Sequence, residues 1–385
     1  MFLLKLILRN AMRHKLRTGL TALGMVVAIL AFGLLHTVVD AWYAGAKASS
    51  SARLVTRNAI SLVFPLPIAY KQKIRQIEGV RAISHANWFG GVYISEKNFF
   101  PQFAVDAPTY FDLYPEFVLP EEQKSAFLHD RQGAVVGRKL AEQYGWKIGD
   151  TVPLRGTIFP GTWTFVVRGI YQGIDRKTDE SQFFFQWDYL NETLKKNAPR
   201  RASSVGLFLV QLEHPEQAAE VSAAIDATFR NSLAETLTET EKAFQLGFVS
   251  MTEAILVAIQ VVSLVVIVII LAVMANTIAM TARERVAEYA TLKALGFPPS
   301  FVARLIFGES LAIACAGCAG AIALTFPLAR AFGDAMGSLF PVFYVSMETV
   351  FMQIGAALLV GAVAAIIPSW RAARLNVVDG LRNIG

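Results

Sequence analysis

The chain has 385 residues, of which 54% are hydrophobic and only 17% are charged, and its formal net charge is +6. Soluble globular domains carry about 25% charged residues, so this composition excludes an ordinary soluble protein, and its apolar content also excludes a disordered or collagen-like chain. Two cysteines are too few for a disulfide-rich scaffold, and the mean hydropathy of +0.43 indicates a protein that inserts into a membrane.

The chain begins with a basic segment followed by an apolar one. Residues 1–17 contain five lysines and arginines and no acidic residue, and they predict an amphipathic helix. Residues 18–39 contain no charged residue and are long enough for a transmembrane helix, which takes about 20 apolar residues. This run exceeds the apolar region of a signal peptide, about 7–15 residues, so we predict that it is retained as an anchor.

The long middle segment, residues 40–253, predicts an α+β domain of two subdomains. Helical and strand patterns alternate along it. The helices are predicted at 68–77, 138–144 and 215–230, the strands at 99–105, 133–136, 162–171 and 203–212, and a tight turn at 147–150. Residues 232–253 contain no proline and predict one long stalk helix that leads into the next span; the alternative is a helix broken at Gly247.

Three further transmembrane helices are predicted at residues 254–282, 305–329 and 349–370. The stretch between the first two of these has the sequence TARERVAEYATLKALGFPPS. It keeps helical spacing through Leu292 and stops at Gly296, just before two prolines. Two interpretations fit this pattern. One is a helical extension with a solvated charged face, and the more specific one is a docking surface for a cytoplasmic partner.

The distribution of basic residues predicts the orientation of the chain, because lysine and arginine mark the cytoplasmic ends of spans. Residues 1–17, 283–304 and 371–385 carry the excess positive charge and are predicted to be cytoplasmic. Residues 40–253 and the connection 330–348 are then extracytoplasmic. Since the basic residues of the large domain are balanced by acidic ones, the net charge reflects topology, and no nucleic-acid partner is expected.

Small residues recur at four-residue spacing in two spans, which lets helices approach closely in lipid. The predicted packing residues are Gly308, Ala312, Ala316 and Gly320 in the third span and Ala357, Gly361 and Ala365 in the fourth. Four helices make a thin assembly, so we expect a dimer. The third span also holds an acidic residue, Glu309, and an acidic residue within the membrane indicates a functional role by default.

No motif predicts catalysis, a cofactor or a metal. The chain has no P-loop, no H-E-x-x-H and no G-x-S-x-G, and its five histidines lack ligand spacing. Cys315 and Cys318 form a C-x-x-C within the third span, outside the βαβ context of a redox motif, and are interpreted as packing residues. We therefore expect that the chain is not an enzyme and has no catalytic, cofactor-binding or metal-binding residues.

Over essentially its whole length the sequence resembles the permease subunits of MacB/FtsX-like ABC transporters, the type VII or mechanotransmission superfamily. Four stretches carry the resemblance, together with Glu309-Ser310, which stands where the family often has an acidic residue early in the third span. The four stretches are LRNAMRHKLRTGLTALGMVVAI at 8–29, GAVVGRKLAEQYGWKIGDTVPL at 133–154, ARERVAEYATLKALGF at 282–297 and IIPSWRAARLNVVDGLR at 366–382. The sequence departs from the family at Tyr289 and Ala290, where Ile-Gly is more typical.

The resemblance implies a multi-pass protein of the cell inner membrane with four transmembrane helices and a MacB-like periplasmic core domain inserted between the first two. It implies a homodimeric or pseudo-dimeric permease that binds two copies of a separate cytoplasmic ABC ATPase, which holds ATP and Mg²⁺. ATP hydrolysis would drive conformational work on a substrate at the outer face, as efflux or as extraction of lipids or lipoproteins. A periplasmic adaptor, a lipoprotein carrier and membrane lipid are further partners that the resemblance suggests.

The resemblance also implies roles for residues of the segment 283–304, called here the coupling segment. The ATPase-coupling residues would be Glu284, Arg285, Glu288, Leu292, Lys293 and Gly296. Arg13 and Arg17 would orient the N-terminal helix at the lipid surface. The alternative reading is a non-transporting membrane sensor or hydrolase regulator that signals through its cytoplasmic helix.

Overall fold

The computed structural model describes residues 6–7, 9–10, 13–336, 340 and 342–375. The chain divides into two compact units. The helical unit comprises Met1–Ala41, Thr252–Ala335 and Phe343–Gly385, and the α+β domain comprises Trp42–Met251 and Met336–Val342. Parts of several predicted segments lie outside the described residues: 1–5, 8 and 11–12 of the N-terminal helix and lead-in, 337–339 and 341 of the connection, and 376–385 of the closing motif and tail.

The helices and strands are numbered here in chain order. The helices are α1 (Lys15–Trp42), α2 (Ala44–Ala48), α3 (Tyr70–Arg75), α4 (Ala107–Leu113), α5 (Glu121–His129), α6 (Arg138–Tyr144), α7 (Trp187–Asn197), α8 (Ala218–Thr228), α9 (Glu241–Ser250), α10 (Glu253–Glu284), α11 (Val286–Ala294), α12 (Pro299–Ala335) and α13 (Met347–Ala373). The strands are β1 (Arg53–Asn58), β2 (Leu66–Pro67), β3 (Val80–Trp88), β4 (Gly91–Val92), β5 (Gln102–Val105), β6 (Phe117–Val118), β7 (Gly133–Gly137), β8 (Thr151–Gly156), β9 (Gly161–Gly173), β10 (Phe183–Gln186), β11 (Ser204–Val205), β12 (Leu207–Leu212) and β13 (Thr236–Thr240).

Among the residues that the structure describes, four helices are long and apolar enough to cross a membrane, namely α1, α10, α12 and α13. This confirms the predicted fold class of four transmembrane helices with an α+β domain between the first and the second. Two buried polar side chains inside the helical unit donate hydrogen bonds to neighbouring helices, as a lipid environment favours. The Gln353 amide donates to the Ile29 carbonyl oxygen at 3.0 Å and to the Thr325 hydroxyl at 2.9 Å, and the Ser310 hydroxyl donates to the Gly361 carbonyl oxygen at 2.6 Å.

The small residues of α13 lie in its packed face. Ala357, Gly361 and Ala365 are all buried, and a Cβ added at Gly361 would lie 2.7 Å from the Cβ of Ala314. Only glycine fits there, because real Cβ atoms do not approach so closely. The backbones of α12 and α13 therefore approach closely at this point, as small residues allow between membrane helices.

In α12 the packed face differs from the predicted one. Each four-residue step turns about 40° further round a helix, so a series of three such steps leaves the face on which it began. Gly308 packs against Ile7 and Gly320 against Val26, but Ala316 is exposed and Ala312 only half-buried. The small residues that are buried on α12 are Ser310, Ala314, Gly317, Cys318, Ala321, Thr325 and Ala329.

The α+β domain is built on one large mixed sheet, and β2 and β11 form a separate two-stranded sheet. The strands of the large sheet follow the order β13-β1-β12-β3-β5-β10-β7-β9-β8-β4, with β6 pairing with β9. Two neighbouring pairs, β5–β10 and β7–β9, are parallel, and the others are antiparallel. Apolar residues fill a core on each face of the sheet. The expectation of two subdomains is wrong, because this sheet continues through the whole domain.

Most predicted elements of this domain form, with shifted ends. The helix at 138–144 and the turn at 147–150 are confirmed; in the turn the amide of Lys147 donates to the Asp150 carboxylate at 2.8 Å. The helix predicted at 68–77 forms only as α3, and that at 215–230 begins with a turn of 3₁₀ helix before α8. The strand predicted at 99–105 is confined to β5, and that at 203–212 is divided into β11 and β12.

The predicted stalk helix at 232–253 is wrong in its first half and at its end. Thr236, Thr238 and Thr240 alternate with other residues, and this β-branched alternation forms β13 on the sheet edge, paired with β1. Helix α9 starts only at Glu241, where the Thr240 hydroxyl caps it by accepting from the amide of Ala243 at 3.2 Å. It continues past Gly247 and ends at Ser250, so the break lies between α9 and α10 and not at the glycine.

Candidate functional site: the coupling segment

The coupling segment is a short helix followed by a tight turn. Helix α10 ends at Glu284, and α11 begins two residues later. Gly296 adopts a positive φ of 92°, a conformation that glycine adopts at no steric cost. The amide of Phe297 then donates to the Leu292 carbonyl oxygen at 3.1 Å and that of Gly296 to the Lys293 carbonyl oxygen at 3.0 Å. This Schellman motif ends α11 where the sequence predicts a stop.

One face of α11 is buried in the helical unit, and the turn after it is exposed. Tyr289 and Ala290, the two positions that depart from the usual family pattern, are each 1% exposed, and burial raises the pKa of Tyr289 to about 12. The residues from 294 to 300 are all exposed, with Leu295 at 71% and Phe297 at 39%. This turn therefore presents apolar side chains that the rest of the unit leaves uncovered.

Two of the predicted coupling residues bind arginines near the start of α1. Both oxygens of Glu284 accept from the Arg17 guanidinium, at 2.6 and 2.8 Å. Glu288 forms an ion pair with Arg13. The two arginines are four residues apart, and so are the two glutamates. The prediction placed these arginines at the lipid surface, whereas the structure places them on the coupling segment.

Arg285 and Glu309 form a buried ion pair at 3.0 Å, with 5% and 6% of each residue exposed. Arg285 also donates to Glu288 at 3.0 Å. Burial disfavours the charged form of Glu288, but its contacts with Arg285 and Arg13 outweigh burial and lower its pKa. Glu309 therefore has a structural partner, and the pair joins the junction of α10 and α11 to α12.

Lys293 connects α11 to the end of α13. Its ammonium group donates to the carbonyl oxygens of Ala373 at 2.7 Å and Leu375 at 2.8 Å. These carbonyls lie at the C-terminal end of α13, where unpaired acceptors and the helix dipole favour a cation. Leu292 is partly buried against the apolar core of the helical unit.

The structure thus brings the predicted coupling residues together, but their contacts are with other residues of the same chain. Sequence reasoning missed the ion pairs to Arg13 and Arg17 and the exposure of Leu295 and Phe297. The signal for the ion pairs was present, since R-x-x-x-R and E-x-x-x-E stand at equal spacing in the two segments. Within the described ranges, no group of three or more His, Cys, Asp or Glu side chains is placed to hold a metal ion.

These features define a multi-pass membrane protein with an α+β domain inserted after its first transmembrane helix. Two family models match the sequence. The model of the MacB-like periplasmic core domain matches residues 18–228, more than half of the chain, and the model of the FtsX-like permease C-terminal region matches residues 260–377. The chain belongs to the MacB/FtsX-like family of ABC transporter permeases.

Three solved structures that are similar to this chain are single domains or regions of larger proteins. The extracellular domain of the ABC-type transporter YknZ from Gram-positive bacteria is 11% identical, with a TM-score of 0.35, over 49% of this chain and 100% of that one. The periplasmic region of MacB from Actinobacillus actinomycetemcomitans is 11% identical, with a TM-score of 0.37, over 52% and 94%. A domain of a permease protein from Porphyromonas gingivalis is 14% identical, with a TM-score of 0.32, over 49% and 88%. None of the curated proteins matches the sequence.

Proposed function

We propose that this chain is the permease subunit of an ABC transporter that couples ATP hydrolysis by a separate cytoplasmic ATPase to conformational work on a substrate at the outer face of the membrane. Both termini and the coupling segment lie in the cytoplasm, and the α+β domain lies on the periplasmic side of the inner membrane. Two permease copies bind two ATPase copies, which hold ATP and Mg²⁺. The work is efflux or extraction of a lipid or lipoprotein, with an adaptor or carrier outside.

The observation that carries the proposal is the exposed turn at 294–300, held between anchored helices. Leu295 and Phe297 are exposed apolar residues at the end of a helix whose other face is buried. Exposed apolar side chains of this kind are typical of protein interaction sites. Because Lys293 binds the end of α13 and Arg285 binds Glu309 of α12, a displacement of the turn would be passed to both helices.

The docking surface proposed from the structure is therefore the turn rather than the charged residues that the sequence singled out. Reversing Glu284, Arg285 and Glu288 would break the ion pairs inside the permease. Loss of ATPase stimulation in such a variant would not show that these side chains contact the ATPase. A substitution at Leu295 tests docking without touching an internal ion pair.

The test is co-purification followed by reconstitution. A full-length tagged permease is expected to bring down a P-loop ATPase and, in proteoliposomes, to raise its ATP turnover. Leu295→Asp is expected to reduce this stimulation by tenfold or more, because a charge in a desolvated apolar contact costs several kcal/mol. Thr291→Asp is the matched control, since Thr291 is exposed on the same helix but outside the turn.

Two results would contradict the proposal. Co-purification of a kinase without an ATPase would favour the sensor reading, and an ATPase whose turnover does not respond to the permease would refute coupling. If Leu295→Asp and Thr291→Asp reduce ATPase stimulation equally, the turn is not the surface that contacts the ATPase.

A further inference from the structure

Two arginines of the N-terminal segment and two glutamates of the coupling region face each other at matched spacing. Arg13 and Arg17 are four residues apart, and Glu284 and Glu288 are four residues apart. Glu284 is the last residue of α10 and Glu288 lies in the first turn of α11, so the two acidic residues stand on either side of the interruption between these helices. The two ion pairs together, Arg13–Glu288 and Arg17–Glu284, are called here the clasp.

We propose that the clasp makes the N-terminal segment part of the coupling device. Arg13 and Arg17 are positioning residues. While the clasp is closed, it fixes the angle between α10 and α11, and the start of α1 then moves with α11. This inference rests on the proposed function for its consequence, since the moving body is the one that the ATPase would displace. The clasp itself is a property of the permease alone.

The clasp continues inward as a chain of alternating charges. Arg13 binds Glu288, Glu288 binds Arg285, and Arg285 binds Glu309. The exposed fraction of the side chains falls along this series, from 56% at Arg13 and 41% at Glu288 to 6% at Arg285 and 8% at Glu309. A buried pair is costly to break because it leaves an unpaired charge in a medium of low dielectric constant, whereas an exposed pair is not. The inner end of the series is therefore fixed, and the outer end can open.

The exposure of the outer pairs sets the strength of the clasp. Exposed ion pairs change an equilibrium by about two- to fivefold each, and bidentate arginine–carboxylate pairs are at the upper end. Two such pairs favour the closed state while leaving an open state populated. This balance suits a contact that must release and re-form during each cycle of the ATPase.

A charge exchange tests the clasp in the permease alone. Arg17 and Glu284 are the pair to exchange, because Glu288 is shared with Arg285 and its reversal would place two arginines side by side. A spin label at position 9 (R9C on a C315A/C318A background) in nanodiscs reports the mobility of the N-terminal segment. R17E and E284R are each expected to raise the mobile fraction by about two- to fivefold, and R17E/E284R is expected to restore the closed spectrum.

Two controls separate the clasp from general effects of charge. K15E reverses a positive charge in the N-terminal segment, as R17E does, and it also lies beside the first span. It therefore tests whether charge reversal acts through membrane topology. R283E makes a reversal next to Glu284 on an exposed position. Both are expected to leave the mobile fraction unchanged. If R17E/E284R is as mobile as the single variants, or if K15E is as mobile as R17E, the clasp is refuted.

The second readout is ATPase stimulation by the reconstituted complex. R17E and E284R are each expected to lower it about two- to fivefold, and the exchanged pair is expected to recover it. Recovery of the closed spectrum without recovery of stimulation refutes the role in coupling while leaving the contact intact. If the wild-type permease stimulates no ATPase, the proposed function fails and the spectra still decide the clasp.

Discussion

Replacing Arg53 by methionine is expected to destabilise the α+β domain by about 3–5 kcal/mol, the cost of leaving a buried charge without its partner. Arg53 is 6% exposed at the start of β1. Its guanidinium donates to Glu241 at 2.8 Å and to the carbonyl oxygen of Leu113 at 3.0 Å, and it also pairs with Glu116. Burial disfavours the cation, but Glu241 and Glu116 outweigh burial and raise the pKa of Arg53.

The expected loss of stability follows from the buried carboxylate that Arg53→Met leaves without its cation. Glu241, the first residue of α9, is 7% exposed. Its remaining hydrogen bonds from described residues are those of the Tyr114 hydroxyl at 3.1 Å and the Ser50 amide at 3.1 Å. Neither of these groups carries a compensating charge. Arg53→Met/Glu241→Leu removes both charges, and it is expected to recover most of the loss because apolar replacement of a whole buried pair is often neutral or stabilising.

The assay is urea unfolding of the full chain in nanodiscs, followed by tryptophan fluorescence. Five of the six tryptophans lie in the α+β domain, so the signal reports mainly on it; they are Trp42, Trp88, Trp146, Trp163 and Trp187. With a slope of about 2 kcal/mol/M, the midpoint of Arg53→Met is expected to fall by about 2 M.

Arg57→Met is the matched control for this experiment. Arg57 lies on the same strand and pairs with Glu239 at 3.2 Å, but both side chains are more than 20% exposed. Its loss is expected to cost about 1 kcal/mol or less. If the two arginine variants unfold at the same urea concentration, burial does not set the strength of these pairs and the reasoning is refuted.

Two further predictions concern packing and pH. Gly361→Val is expected to destabilise the helical unit by at least about 2 kcal/mol, because the Cβ of the valine would lie 2.7 Å from the Cβ of Ala314. The measurement is thermal unfolding, and the control is Gly355→Val, since Gly355 has open space around it. Burial lowers the pKa of His85 to about 4, an effect that Asp106 opposes. The unfolded state then binds more protons below pH 6.5, so stability is expected to fall by about 3 kcal/mol between pH 6.5 and pH 4, and His85→Leu should flatten this part of the profile.

Sequence patterns predicted the parts of the fold that are encoded in long, continuous stretches of residues. Four apolar stretches are unmistakable because a bilayer demands about 20 apolar residues. The stalk was mispredicted because residues 236–240 carry a period-two pattern too short to outweigh a stretch of good helix formers. The packed face of α12 was mispredicted at Ala316 because a strict four-residue series rotates out of the interface, a geometric effect that no single residue reveals.

The candidate site shows the limit of reading charges from sequence. Glu284, Glu288 and Lys293 have the composition of a solvated docking face, and the family resemblance supports that interpretation. Whether a charged side chain faces a partner or another part of its own chain depends on contacts between residues about 270 positions apart. Pairing between distant parts of the chain makes the distinction, and that pairing is a property of the fold.

The arrangement of ion pairs bears on how the coupling segment could transmit force. The Arg285–Glu309 pair and the Lys293 contacts tie α11 to α12 and α13, while the outer pairs to Arg13 and Arg17 are exposed. A push on the turn would therefore move α12 and α13 with α11, and the connection to α1 would be the part free to open and close. If this division is correct, substitutions at the buried pair should reduce stability and stimulation together, whereas substitutions in the clasp should reduce stimulation with little loss of stability.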